Sequence, residues 1–179
     1  MQRKTHNNCP SENTNHNMIR SLFAAGAAAF VLSGCLKAKD TGCRFQECAV
    51  VAPDTERANL RTYLTNNNIV ATEHCSGAYY QVIQQGGGAT PTGCSTVNVT
   101  YSGYLTNGTR FDTATNVSFQ LASLIRGWTA LIPKVNSGGR IKLFIPPTLG
   151  YGASAQGSGS TSIPGNSILV FNITVNDVQ

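Results

Sequence analysis

The stretch that decides the fold is Val97-Asn98-Val99-Thr100-Tyr101-Ser102-Gly103-Tyr104-Leu105-Thr106-Asn107-Gly108-Thr109-Arg110-Phe111-Asp112. Val97, Val99 and Tyr101 alternate with Asn98, Thr100 and Ser102, the period of a strand with one buried face. Asn107-Gly108 supplies a turn, because both residues tolerate positive φ. An aromatic and a carboxylate, Phe111 and Asp112, follow at once. Working outward, Val117, Phe119 and Leu121 alternate as a further strand, and Ala78 to Gln84 reads as an earlier one. Ile141, Leu143 and Ile145 alternate with Lys142 and Phe144. Leu169, Phe171, Ile173 and Val175 share one face of a last strand. Between these strands, Leu124, Ile125, Trp128, Leu131 and Ile132 recur at helical spacing. A short helix must lay that stripe on the sheet, and Pro133 should end it early.

The chain has 179 residues, 41% hydrophobic and only 12% charged, enough for one packed domain and a leader. Part of the net charge of +5 lies in residues 1–34, where Arg3, Lys4 and Arg20 outnumber Glu12. No basic run is present, which excludes a nucleic-acid reading. Gly86-Gly87-Gly88 precedes a strand rather than a helix and lacks a following lysine, so it is a turn and not a phosphate cradle. There is no Gly-x-Ser-x-Gly, and His6, His16 and His74 are scattered, so no nucleophilic triad is legible.

Residues 1–17 are polar and rich in asparagine, and Met18 is the better start. Arg20, the apolar run Leu22 to Leu32 and Leu32-Ser33-Gly34-Cys35 then follow in the order of a signal peptide. The run falls short of the roughly 20 residues a membrane-spanning helix needs. Leu-Ser-Gly-Cys resembles the bacterial lipobox, so Cys35 is expected to carry lipid and tie the chain to a membrane. Leu36 in place of the inner-membrane retention Asp favours an outer-membrane anchor facing the periplasm. The expected divisions are residues 1–34 as leader and signal peptide, 35–77 as tether and helical arm, and 78–179 as the main domain. In the arm, Asp54 and Glu56 after Pro53 suit a helix N-terminus, and Leu60 and Leu64 share one face. Cys43, Cys48, Cys75 and Cys94 would then sit in an oxidising compartment with three possible pairings. Cys43–Cys48 with Cys75–Cys94 is the favoured one, since the second pair flanks a single strand. His74 beside Cys75 finds no second histidine at ligand spacing, so no metal is expected.

The order of motifs resembles the FKBP-type peptidyl-prolyl isomerases. Tyr101-x-Gly103-x-Leu105 leads through the turn to Phe111-Asp112. Ile125-Arg126-Gly127-Trp128 is close to the family's most specific motif. Ile145-Pro146 to Tyr151-Gly152, Ile163-Pro164 beyond the Gly/Ser-rich loop Ala153 to Ser162, and Leu169-Val170-Phe171 complete it. The resemblance covers about Tyr79 to Val178. Alone, each aromatic would be an ordinary core residue; their joint occurrence carries the reading.

The resemblance implies an α+β fold, an antiparallel sheet of about five strands wrapped on one short helix, with an N-terminal helical arm. It implies Tyr101, Phe111, Asp112, Trp128 and Tyr151 as catalytic residues, with Trp128 as pocket floor. Val117, Phe119, Leu124, Ile125, Ile163 and Phe171 would bind substrate. Val117 replaces a common aromatic and Leu124 a common valine, changes that should affect affinity more than activity. The Tyr151 hydroxyl and the Ile163 backbone N–H would hold substrate carbonyls, and Asp112 would orient Tyr101. The implied function is non-covalent cis–trans isomerisation of X–Pro bonds in proteins folding in the bacterial cell envelope, with no metal or cofactor. Proline-containing polypeptides and macrolide inhibitors of the family are the implied partners. The alternative is a catalytically idle FKBP-like peptide-binding or chaperone module of an envelope complex.

Overall fold

A computed structural model describes residues 43–179, which belong to one compact unit. Met18, the apolar run and the lipidation residue Cys35 lie outside the described residues. Among the described residues, no helix is long and apolar enough to cross a membrane.

The chain forms helix α1 (Asp54–Asn66) and strands β1 (Thr72–Glu73), β2 (Tyr79–Gln84), β3 (Thr96–Leu105) and β4 (Arg110–Gln120). Helix α2 (Arg126–Leu131), β5 (Arg140–Ile145) and β6 (Leu169–Val178) follow. The six strands make one sheet in the order β1-β2-β5-β6-β3-β4, with every pairing antiparallel. The sixth strand, beyond the five or so expected, is the two-residue β1, too short to leave a period in the sequence.

The β3–β4 hairpin closes at Asn107-Gly108, where Gly108 has φ +86° and the Leu105 N–H meets the Thr109 carbonyl at 2.9 Å. Of the strand expected at Val117–Leu121, Val117 to Gln120 is the end of β4, an 11-residue strand with two register shifts against β3, and Leu121 opens a 3-10 turn. At one of these shifts Asn116 takes φ +53°. Such a bulge admits extra residues and lets Val117 and Phe119 return to the inner face.

Val97, Val99, Ile141, Leu143, Ile145, Leu169, Phe171, Ile173 and Val175 line the inner face and are buried with Trp128, Leu131 and Ile132. α2 ends at Leu131 and Pro133 continues it only as a 3-10 turn, Ile132–Lys134. Gly127 lets α2 approach the sheet, because a Cβ there would lie 2.6 Å from Ile145. The outer face explains an oddity of β5. Phe144 points away from the main core yet is fully buried, because α1 covers it. Leu60 and Leu64, one turn apart, pack there with Phe144, Val170 and Tyr79. Burial of each leucine contributes about 1.5–3 kcal/mol.

The cysteine pairing differs from expectation. The disulfides are Cys43–Cys94, with Cα atoms 5.5 Å apart, and Cys48–Cys75, with Cα atoms 5.9 Å apart. Residues 43–52 run back over the domain instead of closing on themselves. Phe45 lies over Gly93, where a Cβ would meet its ring at 2.3 Å, and the Ala52 N–H donates to the Ser76 carbonyl at 2.8 Å. Glu47 accepts from Lys134 and from His74 Nε2, the latter at 2.8 Å. These two bonds hold its carboxyl below the usual carboxylate range.

Candidate active site

Four rings from four separate elements meet on the inner face. Trp128, 4% exposed, comes from α2 and forms the floor. Tyr101 of β3 stands edge-on to it with centroids 5.0 Å apart, and Phe171 of β6 does so at 5.1 Å. Phe119 of β4 meets Trp128 at 6.3 Å, again near-perpendicular. Edge-to-face contact suits the ring quadrupoles and locks each wall against its neighbour. Above the floor is a cavity of about 300 Å³, lined also by Leu124, Ile125, Asp112 and Tyr151. The buried Thr129 hydroxyl, on α2, donates to the Leu121 carbonyl at 2.8 Å and also faces the Ile125 carbonyl at 3.4 Å, tying both ends of the Leu121–Ile125 segment to the helix. Ser123 lines the cavity as well. Sequence reading missed it, since a small polar residue ahead of a helix carries no periodic signal.

The remaining predicted residues lie elsewhere. Phe111 is buried behind the wall, edge-on to Phe171 at 5.5 Å. Val117 is half-buried against the main core and does not line the cavity. Ile163 is also buried outside the lining, and its N–H donates to the Gln156 carbonyl at 2.8 Å. This N–H, expected to receive a substrate carbonyl, is paired in this structure within an isolated bridge inside the loop.

The polar groups sit at the rim. Tyr101 donates its hydroxyl to Asp112 Oδ2 at 2.6 Å. Burial first, then the Asp112 bond and charge, push the Tyr101 phenol well above its ordinary value. Tyr151, 38% exposed, is likewise raised by burial and by the nearby Asp112 charge. Both hydroxyls therefore remain proton donors. The Trp128 indole N–H is buried with no hydrogen-bond partner among the described residues. An unpaired buried donor costs about 1–3 kcal/mol.

Gly103 is required by the wall. A Cβ there would lie 2.7 Å from the Phe111 ring and 2.8 Å from Phe171. Gly103→Ala is expected to displace both rings and lower stability by about 1–3 kcal/mol, which urea unfolding reads.

Two other features gather polar or ligating groups. A depression of about 470 Å³ on the outer sheet face is lined by Arg110, Arg140, Thr100 and Ser102. Its guanidiniums and hydroxyls do not suit an apolar ring. Cys48, His74 and Cys75 offer three ligand atoms within 4.8 Å of one another. The two sulfurs are bonded to each other, however, and both ring nitrogens are engaged: Nδ1 accepts from the Ser76 N–H at 3.2 Å, which leaves Nε2–H to donate to Glu47.

An aromatic bowl with Asp112 and Tyr151 at its rim, on an antiparallel sheet packed against one short helix, defines a class. Residues 87–176 match the family model described as FKBP-type peptidyl-prolyl cis-trans isomerase, and the chain belongs to that family. It is 41% identical over 108 residues to the FKBP-type peptidyl-prolyl cis-trans isomerase FkpA of Escherichia coli K12, covering 58% of this chain and 38% of that one. It is 44% identical over 108 residues to a probable FKBP-type peptidyl-prolyl cis-trans isomerase of Haemophilus influenzae, covering 58% of this chain and 44% of that one. The match thus spans about two fifths of the length of these curated relatives. A crystal structure of a peptidyl-prolyl cis-trans isomerase from Pseudomonas syringae pv. tomato superposes with TM-score 0.60 at 30% identity, over 72% of this chain and 97% of that one.

Proposed function

We propose that this chain catalyses cis–trans isomerisation of X–Pro peptide bonds in polypeptides. The observation that carries the reading is the cavity whose floor is Trp128 and whose walls are Tyr101, Phe119 and Phe171. Rotation about an X–Pro bond faces a barrier of about 18–20 kcal/mol from amide resonance. Uncatalysed, it takes tens to hundreds of seconds. Twisting the amide breaks resonance, pyramidalises nitrogen and shrinks the dipole. Water solvates the planar amide better than the twisted one, so a dry aromatic bowl favours the transition state over the ground state. Such chemistry needs walls and a few placed donors, and no nucleophile.

The residues divide the work. Trp128 and the three other rings take the pyrrolidine ring. Tyr151 at the rim donates to a substrate carbonyl. Asp112 pins Tyr101 through the 2.6 Å bond, so that wall does not swing. Phe111 backs Phe171 and acts through it. We place the protein in the bacterial cell envelope, held by lipid on Cys35. The two disulfides support an oxidising compartment, and the lipobox-like Leu32-Ser33-Gly34-Cys35 supports the anchor. Proline-containing polypeptides and macrolide inhibitors of the family are the partners this pocket suits.

A protease-coupled assay on a proline peptide tests the reading. Turnover is expected to stay level from neutral pH to beyond the ordinary tyrosine value of about 10, because both rim phenols ionise late. Absence of turnover by the folded chain would leave an idle peptide-binding module; a fall in turnover near pH 10 without unfolding would show a rim phenol ionising at its ordinary value and overturn the late ionisation of Tyr101 and Tyr151.

A further inference from the structure

Tyr151 reaches the rim on a short loop after β5, and the inner side of that loop is held by its own backbone. The Gly150 and Gly152 N–H groups donate to the Pro147 carbonyl at 2.9 and 2.8 Å, and Leu149 is buried. Its outer side is held by a residue from a different part of the chain. Glu56, in the first turn of α1, accepts the Thr148 backbone N–H on Oε2 at 2.9 Å and the Thr148 hydroxyl on Oε1 at 2.7 Å. One carboxylate thereby takes both donors of one residue, which fixes orientation as well as position. Thr148 stands in the 3-10 turn Pro147–Leu149, whose early N–H groups have no partner within the turn.

Glu56 is itself anchored. Leu60 and Leu64 dock α1 on the outer sheet face, and the neighbouring Arg57 is paired with Glu73 of β1 at 2.9 Å. Asp54 also stands in the first turn of α1, so the helix dipole does not depend on Glu56 alone. The contact crosses 92 positions of sequence and begins outside residues 87–176, the part matched by the family model.

We propose that Glu56 is a positioning residue for Tyr151, so that the N-terminal arm completes the pocket rim. This rests on the isomerase reading for its catalytic consequence, and on geometry alone for the placement. The test is a cycle of Glu56→Ala, Tyr151→Phe and the double variant in the full chain, with kcat/KM measured beside the NMR shifts of ¹³C-labelled tyrosine. Glu56→Ala is expected to lower kcat/KM about tenfold, about 1.4 kcal/mol of barrier, and to move the Tyr151 ring resonances more than those of Tyr101. On the Tyr151→Phe background the same change is expected to cost less than twofold. Glu56→Gln, which retains an acceptor for the N–H and an amide donor for the threonine oxygen, is expected to restore both readouts. Equal losses on the two backgrounds, or an unmoved Tyr151 resonance, would overturn the proposal. An inactive parent in which Tyr151 still shifts would retire the isomerase reading and leave the positioning role standing.

Discussion

Trp128→Ala is expected to lower kcat/KM by about 100-fold, about 2.7 kcal/mol of transition-state stabilisation. Trp128 is the one ring in edge-on contact with Tyr101, Phe119 and Phe171 together. Its loss removes the floor and frees the walls to tilt inward. It also leaves a cavity, and large-to-small changes of this kind cost about 3–5 kcal/mol of stability. Trp128→Phe separates the two effects. It keeps an apolar floor and removes the indole N–H that has no partner, so its stability should fall far less than that of the alanine variant. Turnover is expected to stay within about tenfold of the parent, roughly 1.4 kcal/mol. Urea midpoints and the protease-coupled assay, run on both variants, check this. An alanine variant with parental turnover would place the chemistry elsewhere.

Replacing Cys43 and Cys94 by serine is expected to lower unfolding free energy by about 3–4 kcal/mol, the chain-entropy estimate for loops of this size. The bridge spans 51 positions and encloses the second one, which spans 27. The loop closed by the outer bridge is therefore shorter while the inner bridge is intact, which keeps the expected effect below the full-loop value. The cost should appear first in residues 43–52, which carry Phe45 over Gly93 and Glu47 to Lys134 and His74. Denaturation with and without a dithiol reductant reads the loss. Turnover measured well below the unfolding midpoint is expected to persist, because neither bridge touches the aromatic cavity. An unchanged midpoint on reduction would show that packing of Phe45 and Ala52 alone fastens the segment.

How far each feature could be read depended on whether its cause was local. The β3 alternation and the Asn107-Gly108 turn follow from short-range periods and turn chemistry and stand where those rules place them. Of the stripe expected on one helix, only Trp128 and Leu131 lie on α2, while Leu124 and Ile125 are half-buried in the extended segment before it and Ile132 opens the 3-10 turn after it. The sequence shows a strand period only from Val117 to Leu121, because a bulge at Asn116 breaks the period without ending the hydrogen-bonded ladder that starts at Arg110. Phe144 alternates with the buried residues of β5, and its burial depends on α1, about 80 positions away in sequence, which covers it. The Ile163 N–H looked free because nothing in a Gly/Ser-rich stretch signals that Gln156 will pair with it.

By itself, the order of residues determined the strand faces, the short helix, the family and the set of aromatic side chains able to form a bowl. Each of these rests on neighbours within a few positions, where backbone periodicity decides which way a side chain points. Only tertiary structure decided which cysteines meet, that Phe111, Val117 and Ile163 stand behind or away from the cavity, and that Glu56 reaches Thr148. Those outcomes depend on how folded elements are placed against one another. That placement comes from summed burial over the whole domain, and no local pattern encodes it.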